Sequence, residues 1–532
     1  MTERMTSADV AFLHQESRNA PQHVGGLAVF TPKPGGFDYD RLVRLLEERI
    51  PLAPRYRQKV RMVPGHVAHP LWLDDPDFDI TYHARRSALP RPGSDQQLLE
   101  FCGRIQSRLL DRSRPLWEMY LVEGLTDGRV AIVTKTHQAM IDEQQGIDLA
   151  QVILDAAPEP RRTVSPIWMP EPEPTSLDLL RDAVLDLVRR PTSLADTVRE
   201  AGHDVRSAAG KVGAVTGGLA SATRLVLRRP PPSPLHAELS EQRRLAIART
   251  RLDDYRTVRD AFGGTVNDAV LATVAGALRG WLLSRAEALR PATAVRALIP
   301  MSVADSAEPR GGSTAGDHVD TSRTNHPSGR GRTDPPVEGA GRIRPLLVDL
   351  PVGEADPVLR LAQLRYAMAS HQASGRAVSA DRIAALGGFA PPTLHALGSR
   401  ASSGLTRRMF SLVVTNVPGP QFSLYAAGAR MTEMFPFLPL APGQALSIAL
   451  TSYDGGVYYG INGDRDAVRD VATIAESIEE SLAELVAATE TDAVVTAGDG
   501  GAAPRRGKGT AARPGTGSPS RRGGAPRRTD LS

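Results

Sequence analysis

The chain has one cysteine, Cys102, so no disulfide can form within it. A reducing, cytoplasmic setting is compatible with that count, and a buried, inert thiol is expected. No run of roughly 18 or more apolar residues occurs, and the opening MTERMTSADV lacks the apolar stretch of a secretory signal. Any membrane contact is therefore expected to be peripheral. A surplus of one charge sign is missing from the body too. The net charge is +4, but the segment from Thr496 to Ser532 carries eight basic residues against Asp499 and Asp530. The rest is slightly negative, which excludes a nucleic-acid footprint on it. The basic tail reads as a solubilising, weakly electrostatic segment.

What is present describes an ordinary globular protein, with 41% hydrophobic and 23% charged residues. At 532 residues it exceeds what one hydrophobic core supports, so two structured domains are expected. Residues 1–157 mix strand-like runs (Gly26 to Phe30, Val130 to Thr134) with helical patterns (Tyr39 to Arg49, Gln96 to Leu110), an α/β signature. Residues 158–234 form a linker, proline-rich from Pro158 to Pro174 and then helical. There Leu177, Leu180, Val184, Leu187 and Val188 recur at helical spacing, a face for docking on a domain or on a lipid surface beside Arg189, Arg190 and Arg206. Residues 235–490 form the second α/β half, with helices over Val266 to Arg285 and Val471 to Ala487 and strands over Val295 to Ile299, Leu346 to Leu350 and Leu412 to Val414. Residues 304–340, nearly free of large apolar side chains, are expected to be a disordered insertion, and 491–532 a disordered basic tail.

One stretch concentrates polar chemistry: Lys135, His137, Gln138, Asp142 and Glu143, at the end of a β-rich run and before the helical spacing of Ile147, Ala150, Ile153 and Leu154. Asp142 with Gln145 has the form of a helix capping box. His137 alone reads as a satisfied, partly buried histidine.

This stretch resembles the His-His-x-x-x-Asp-Gly motif of the bacterial wax ester synthase/diacylglycerol acyltransferases, with Gln138 at the second histidine and Glu143 at the glycine. The resemblance extends along the chain. Pro115-Leu116-Trp117 is similar to the family's Pro-Leu-Trp segment, Trp72 to His83 to its Trp-to-His stretch, and Asn267-Asp268 to its Asn-Asp helix start. Ser302 matches its Pro-Val-Ser strand end, Asn416-Val417-Pro418-Gly419-Pro420 its Asn-Val-Pro-Gly-Pro turn, and Ser452 to Asp464 its final strands. Gly341-Arg342 stands where the family has Gly-Asn.

The resemblance implies an α/β fold of two chloramphenicol-acetyltransferase-like domains with a tunnel between them. It implies acyl transfer from acyl-CoA, a co-substrate, to diacylglycerol or a long-chain alcohol, with no resident cofactor and no metal. The second motif histidine would be the general base and Asp142 a structural anchor. Pro115, Leu116, Trp117, Asn267, Asp268, Ser302 and Asn416 would bind substrate, and the setting would be cytoplasmic, at a membrane or lipid-droplet surface. Gln138 has no protonation equilibrium near neutral pH and cannot be that base. If the strand persists, His137 and Gln138 point to opposite faces, which turns His137 away from the tunnel. The departures at 138 and 143 equally fit a catalytically degenerate paralogue that binds acyl-CoA or lipid.

Overall fold

In the first half, alternation along His23–Thr31 (β2) and Val130–His137 (β7) builds a sheet with apolar side chains on both faces. A computed structural model describes residues 3–32, 36–141, 152–161, 168–189, 233–303, 342–374 and 409–499. In chain order the strands are β1 (Glu3–Arg4), β2, β3 (Gln58–Arg61), β4 (Leu71–Asp74), β5 (Ala84–Ala88), β6 (Trp117–Glu123), β7, β8 (Arg243–Arg251), β9 (Val295–Val303), β10 (Arg342–Leu350), β11 (Leu412–Pro418), β12 (Tyr425–Ala426), β13 (Ala429–Phe437), β14 (Leu446–Tyr453) and β15 (Gly456–Asp464). The helices are α1 (Ser7–Gln15), α2 (Tyr39–Arg49), α3 (Ile80–His83), α4 (Asp95–Gln106), α5 (Ser176–Arg189), α6 (Leu252–Phe262), α7 (Val266–Ser284), α8 (Pro357–Ser374) and α9 (Val471–Asp499).

Two six-stranded sheets carry the fold, in the orders β12-β13-β2-β7-β6-β5 and β10-β9-β11-β14-β15-β8, with a small sheet β1-β4-β3 beside them. In the first sheet β5 and β6 run parallel and the other neighbours antiparallel. Side chains of β2 and β7 divide between two cores. Phe30 and Ile132 pack with α1 and α2, whereas Leu27, Val29, Ala131 and Val133 pack with Leu98, Leu99, Cys102 and Ile105 of α4. By the same alternation Lys135 and His137 follow Ala131 and Val133 to the α4 face. In the second sheet β9, β11 and β14 are mutually parallel neighbours, and α7 is buried on almost all sides over it. The buried Cys102 thiol is pushed up to about 12 by burial, as expected for an inert core cysteine.

The expected boundary at residue 235 is crossed. Strands β12 and β13, from the second half, close the edge of the first sheet, with Phe435 opposite Leu27. Met1–Thr489 accordingly form one compact unit, and Glu490–Ser532 a second. The expected helix from Val471 to Ala487 runs on to Asp499, into the segment read as tail. The insertion 304–340 and residues 500–532 lie outside the described residues.

The linker also departs from expectation where it is described. Glu173 pairs with Lys59 at 3.6 Å and Arg61 at 3.4 Å, and the Arg57 guanidinium lies over the Trp168 ring. This proline-rich stretch is thus held to the first half instead of spacing freely. On α5, Leu177 is 77% exposed and Leu179 is the buried contact, packed with Val63, Leu71 and Leu73. Of the face drawn through Leu177, Leu180, Val184, Leu187 and Val188, Leu180 is half-buried and the last three side chains lie outside the described residues; Thr175 and Asp178 cap the helix reciprocally. Among the described residues no single helix is long and apolar enough to cross a membrane.

Candidate active site

Strand β7 ends at His137, and Gln138–Met140 form a 3-10 turn. The turn is held from three sides. His137 N donates to Leu116 O at 2.9 Å and Gln138 N to Gln22 O at 2.8 Å. The His137 side chain caps the turn, its Nδ1 accepting from Ala139 N at 3.0 Å. An acceptor Nδ1 means that the neutral ring carries its proton on Nε2. Gln138 is half-buried at the first position of the turn, Ile141 is exposed, and Asp142 and Glu143 lie outside the described residues. The strand therefore stops one residue short of Gln138. The alternation of the strand thus ends at His137 and does not assign Gln138 to a face.

His137 is fully buried against two groups far away in sequence. Glu16 Oε1 lies 3.0 Å from His23 Nε2 and 3.5 Å from His137 Nε2, and the two rings meet edge to face at 5.9 Å. Neither contact has the alignment of a full hydrogen bond. At 3.0 Å, however, a carboxylate oxygen and a ring nitrogen would repel unless a proton lay between them. The other carboxylate oxygen takes Arg112, from Nη2 at 2.7 Å and Nε at 3.1 Å. Burial alone would raise the Glu16 pKa, but the contacts with His137 and His23 outweigh it and hold the carboxyl far below its ordinary value. Burial pushes His23 down to about 4 against the pull of Glu16, with the Lys135 charge acting in the same direction, so its ring is neutral at pH 7. Lys135, fully buried with its ammonium on Arg108 O, is pushed down to about 8, chiefly by burial.

Of the other expected site residues, Asn267 and Asn416 come together. Asn416 Nδ2 donates to Asn267 Oδ1 at 3.3 Å, joining the first turn of α7 to β11. Asp268 is a capping residue: Thr265 Oγ1 accepts from Asp268 N at 3.1 Å and Asp268 accepts from Thr265 N at 2.8 Å. Ser302 sits on β9 opposite Ile343 of β10. Pro115, Leu116 and Trp117, expected to bind substrate, pack in the protein interior. All three are buried in the first core, Trp117 Nε1 donates to Tyr56 O at 2.7 Å, and the indole stacks on His83 at 4.7 Å. With its polar atom satisfied and its ring covered, Trp117 is a packing residue, contributing about 2–3 kcal/mol by burial. A cleft of 210 Å³ under the proline-rich stretch, between Trp72, Asp74 and Glu171, contains neither His137 and Gln138 nor Asn267 and Asn416.

Residue spacing passed over Glu16, His23 and Arg112. Their separation from the motif leaves no local signal, and only the pairing of β2 with β7, His23 opposite His137, brings them to it.

Comparison with known proteins adds relatives. Residues 5–270 match the wax ester synthase/diacylglycerol acyltransferase catalytic domain, and residues 341–486 the WS/DGAT C-terminal domain. The chain is 44% identical over 260 residues, 49% of its length and 96% of the relative's, to the probable diacylglycerol O-acyltransferase tgs3 of Mycobacterium tuberculosis. It is 32% identical over 492 residues, 90% of this chain and 98% of the other, to the probable diacylglycerol O-acyltransferase tgs2 of the same organism. Among solved structures, a wax ester synthase/diacylglycerol acyltransferase from Marinobacter aquaeolei superposes with a TM-score of 0.60 at 26% identity, over 92% of this chain and all of that one. A trichothecene 15-O-acetyltransferase from Fusarium sporotrichioides shares the fold at a TM-score of 0.54 and 10% identity, over 91% of this chain and 95% of that one.

Proposed function

Because the chain belongs to the wax ester synthase/diacylglycerol acyltransferase family, we propose that it is an acyl-CoA-dependent O-acyltransferase acting on diacylglycerol or a long-chain alcohol, working without an imidazole at its base position. The observation that carries this reading is the turn at 138–140, which holds a half-buried Gln138 at the position of the family's second motif histidine. In the reaction the acceptor oxygen forms an ester bond with the acyl carbon, the thioester C–S bond breaks, and the hydroxyl proton passes to the departing CoA sulfur. Gln138 can accept a hydrogen bond from that hydroxyl and orient it, but cannot take its proton. His137 does not substitute, because its Nδ1 is occupied by Ala139 N and its Nε2 faces Glu16. Proximity and orientation remain, and loss of base catalysis costs about 10²- to 10⁴-fold. No resident cofactor or metal is needed for this chemistry.

The test is transfer from radiolabelled palmitoyl-CoA to diacylglycerol and to a long-chain alcohol, comparing the native chain with Gln138→His. A gain of about 10²- to 10⁴-fold in the variant, from low native turnover, is expected. Native turnover equal to that of the variant would defeat the argument about the base.

Gln138 also favours a second reading, a paralogue that binds acyl-CoA or lipid without turning it over. Native protein that binds palmitoyl-CoA but transfers nothing to either acceptor selects it. We further propose peripheral contact with a membrane or lipid-droplet surface, supported by the basic residues from Arg189 to Arg229. Flotation with anionic vesicles that is unaffected by salt or by removing this charge would exclude it.

A further inference from the structure

We infer that Glu16 is a positioning residue of this site, its carboxylate gathering His23 and His137 so that the turn presenting residue 138 is held in one orientation. The inference rests on the acyltransfer reading for its consequence, but not for its geometry. The Glu16 side chain is 2% exposed, yet four groups converge on it: His23 Nε2 at 3.0 Å, His137 Nε2 at 3.5 Å, Gln22 N at 3.4 Å and Arg112 at 2.7 Å. A buried carboxylate costs several kcal/mol unless such partners compensate it, so its presence here has to be matched by what it holds.

What it holds is the turn. Three of the four partners of Glu16 lie at the segment that carries position 138. His137 caps the turn through Nδ1, His23 faces His137 in the strand register, and Gln22 O receives Gln138 N at 2.8 Å. Arg112 also donates to Leu13 O at 2.7 Å, tying the end of α1 to the same carboxylate. With Nδ1 committed as an acceptor from Ala139 N, His137 presents its Nε2–H toward Glu16, and the carboxylate holds the ring in that orientation. A carboxamide at position 16 would present one acceptor and one donor, and its NH₂ would oppose either an imidazole N–H or the Arg112 guanidinium.

The experiment uses Glu16→Gln and Glu16→Asp, each in the native chain and with Gln138→His, and checks folding by thermal denaturation. In the Gln138→His background, Glu16→Gln is expected to lower kcat at least about tenfold with KM for palmitoyl-CoA within about twofold, and Glu16→Asp to restore part of it. In ¹⁵N-histidine spectra of the native chain, His137 is expected to show the Nε2–H tautomer, a signature whose Nε2 resonance is displaced in Glu16→Gln. Folded Glu16→Gln protein with unchanged kcat and an unchanged His137 signature overturns the inference. Should Glu16→Gln not fold, Glu16→Asp and His23→Asn carry the same two readouts and decide it. Should Gln138→His transfer nothing, the acyltransfer reading fails while the histidine spectra still decide the positioning role.

Discussion

At position 138 an amide stands beside a histidine that is buried, capped and paired with a carboxylate, and the two side chains divide what one might have shared. His137 caps the turn through its Nδ1, and Gln138 begins it. The division has a pH consequence through His23. Its pKa is 6.5 when exposed and about 4 in the fold, so between those values the unfolded chain binds a proton that the folded chain does not. Stability is therefore expected to fall as pH is lowered from 6.5 toward 4, by about 3 kcal/mol at most. Glu16, also lowered, adds to the loss below its ordinary value of 4.5. Thermal unfolding between pH 7 and pH 4 checks this: His23→Asn should flatten the descent, and an equally steep descent in that variant would show that other groups cause it. The motif positions His137 and Gln138 were legible from residue order. Glu16 was not, because a glutamate just after the first helix has no local mark of a buried partner.

Among the elements, helices Tyr39–Arg49 and α7 begin where the sequence placed them, for the same reason: a capping side chain precedes each. Asp38 accepts from Arg41 N at 2.9 Å, and Thr265 and Asp268 cap each other. Thr265→Ala is expected to cost about 1 kcal/mol, read as a lowered denaturant midpoint. The first turn of α7 also carries Asn267 to Asn416, the pair that the family resemblance assigns to substrate. KM for the acyl donor should then shift more in Asn416→Ala, which removes the link, than in Thr265→Ala, which loosens its support; the reverse order would remove Asn267 and Asn416 from the site. The same scale accounts for the buried Pro-Leu-Trp segment. A motif shared across a family marks a required residue without saying whether chemistry or packing requires it, and for Trp117 the hydrogen bond to Tyr56 O and the stack on His83 answer for packing.

At the scale of the molecule, the two sheets are tied by contacts between segments remote in sequence. Arg249 on β8 donates to Glu433 on β13 at 2.6 Å and to Asp95 on α4 at 2.7 Å, and Arg243 N donates to Ser107 Oγ at 3.0 Å. The sheets also meet at Gly460 on β15, where an added Cβ would lie 1.8 Å from Pro436 O on β13. Gly460→Ala is therefore expected to cost about 3 kcal/mol or more and to lower the midpoint of urea unfolding. A midpoint unchanged from the native chain would mean that this contact between the sheets is not required.

Composition, periodicity and motif order were enough for the α/β class, for most helices and strands, and for the His137-Gln138 pair at the end of its strand, because each depends on residues near one another in the chain. Strand exchange between the halves, the burial of the Pro-Leu-Trp segment and the carboxylate that gathers two histidines were decided only by tertiary structure. They arise where β13 meets β2 and β2 meets β7, and pairing between distant strands is set by the shape of the whole core and by no local pattern.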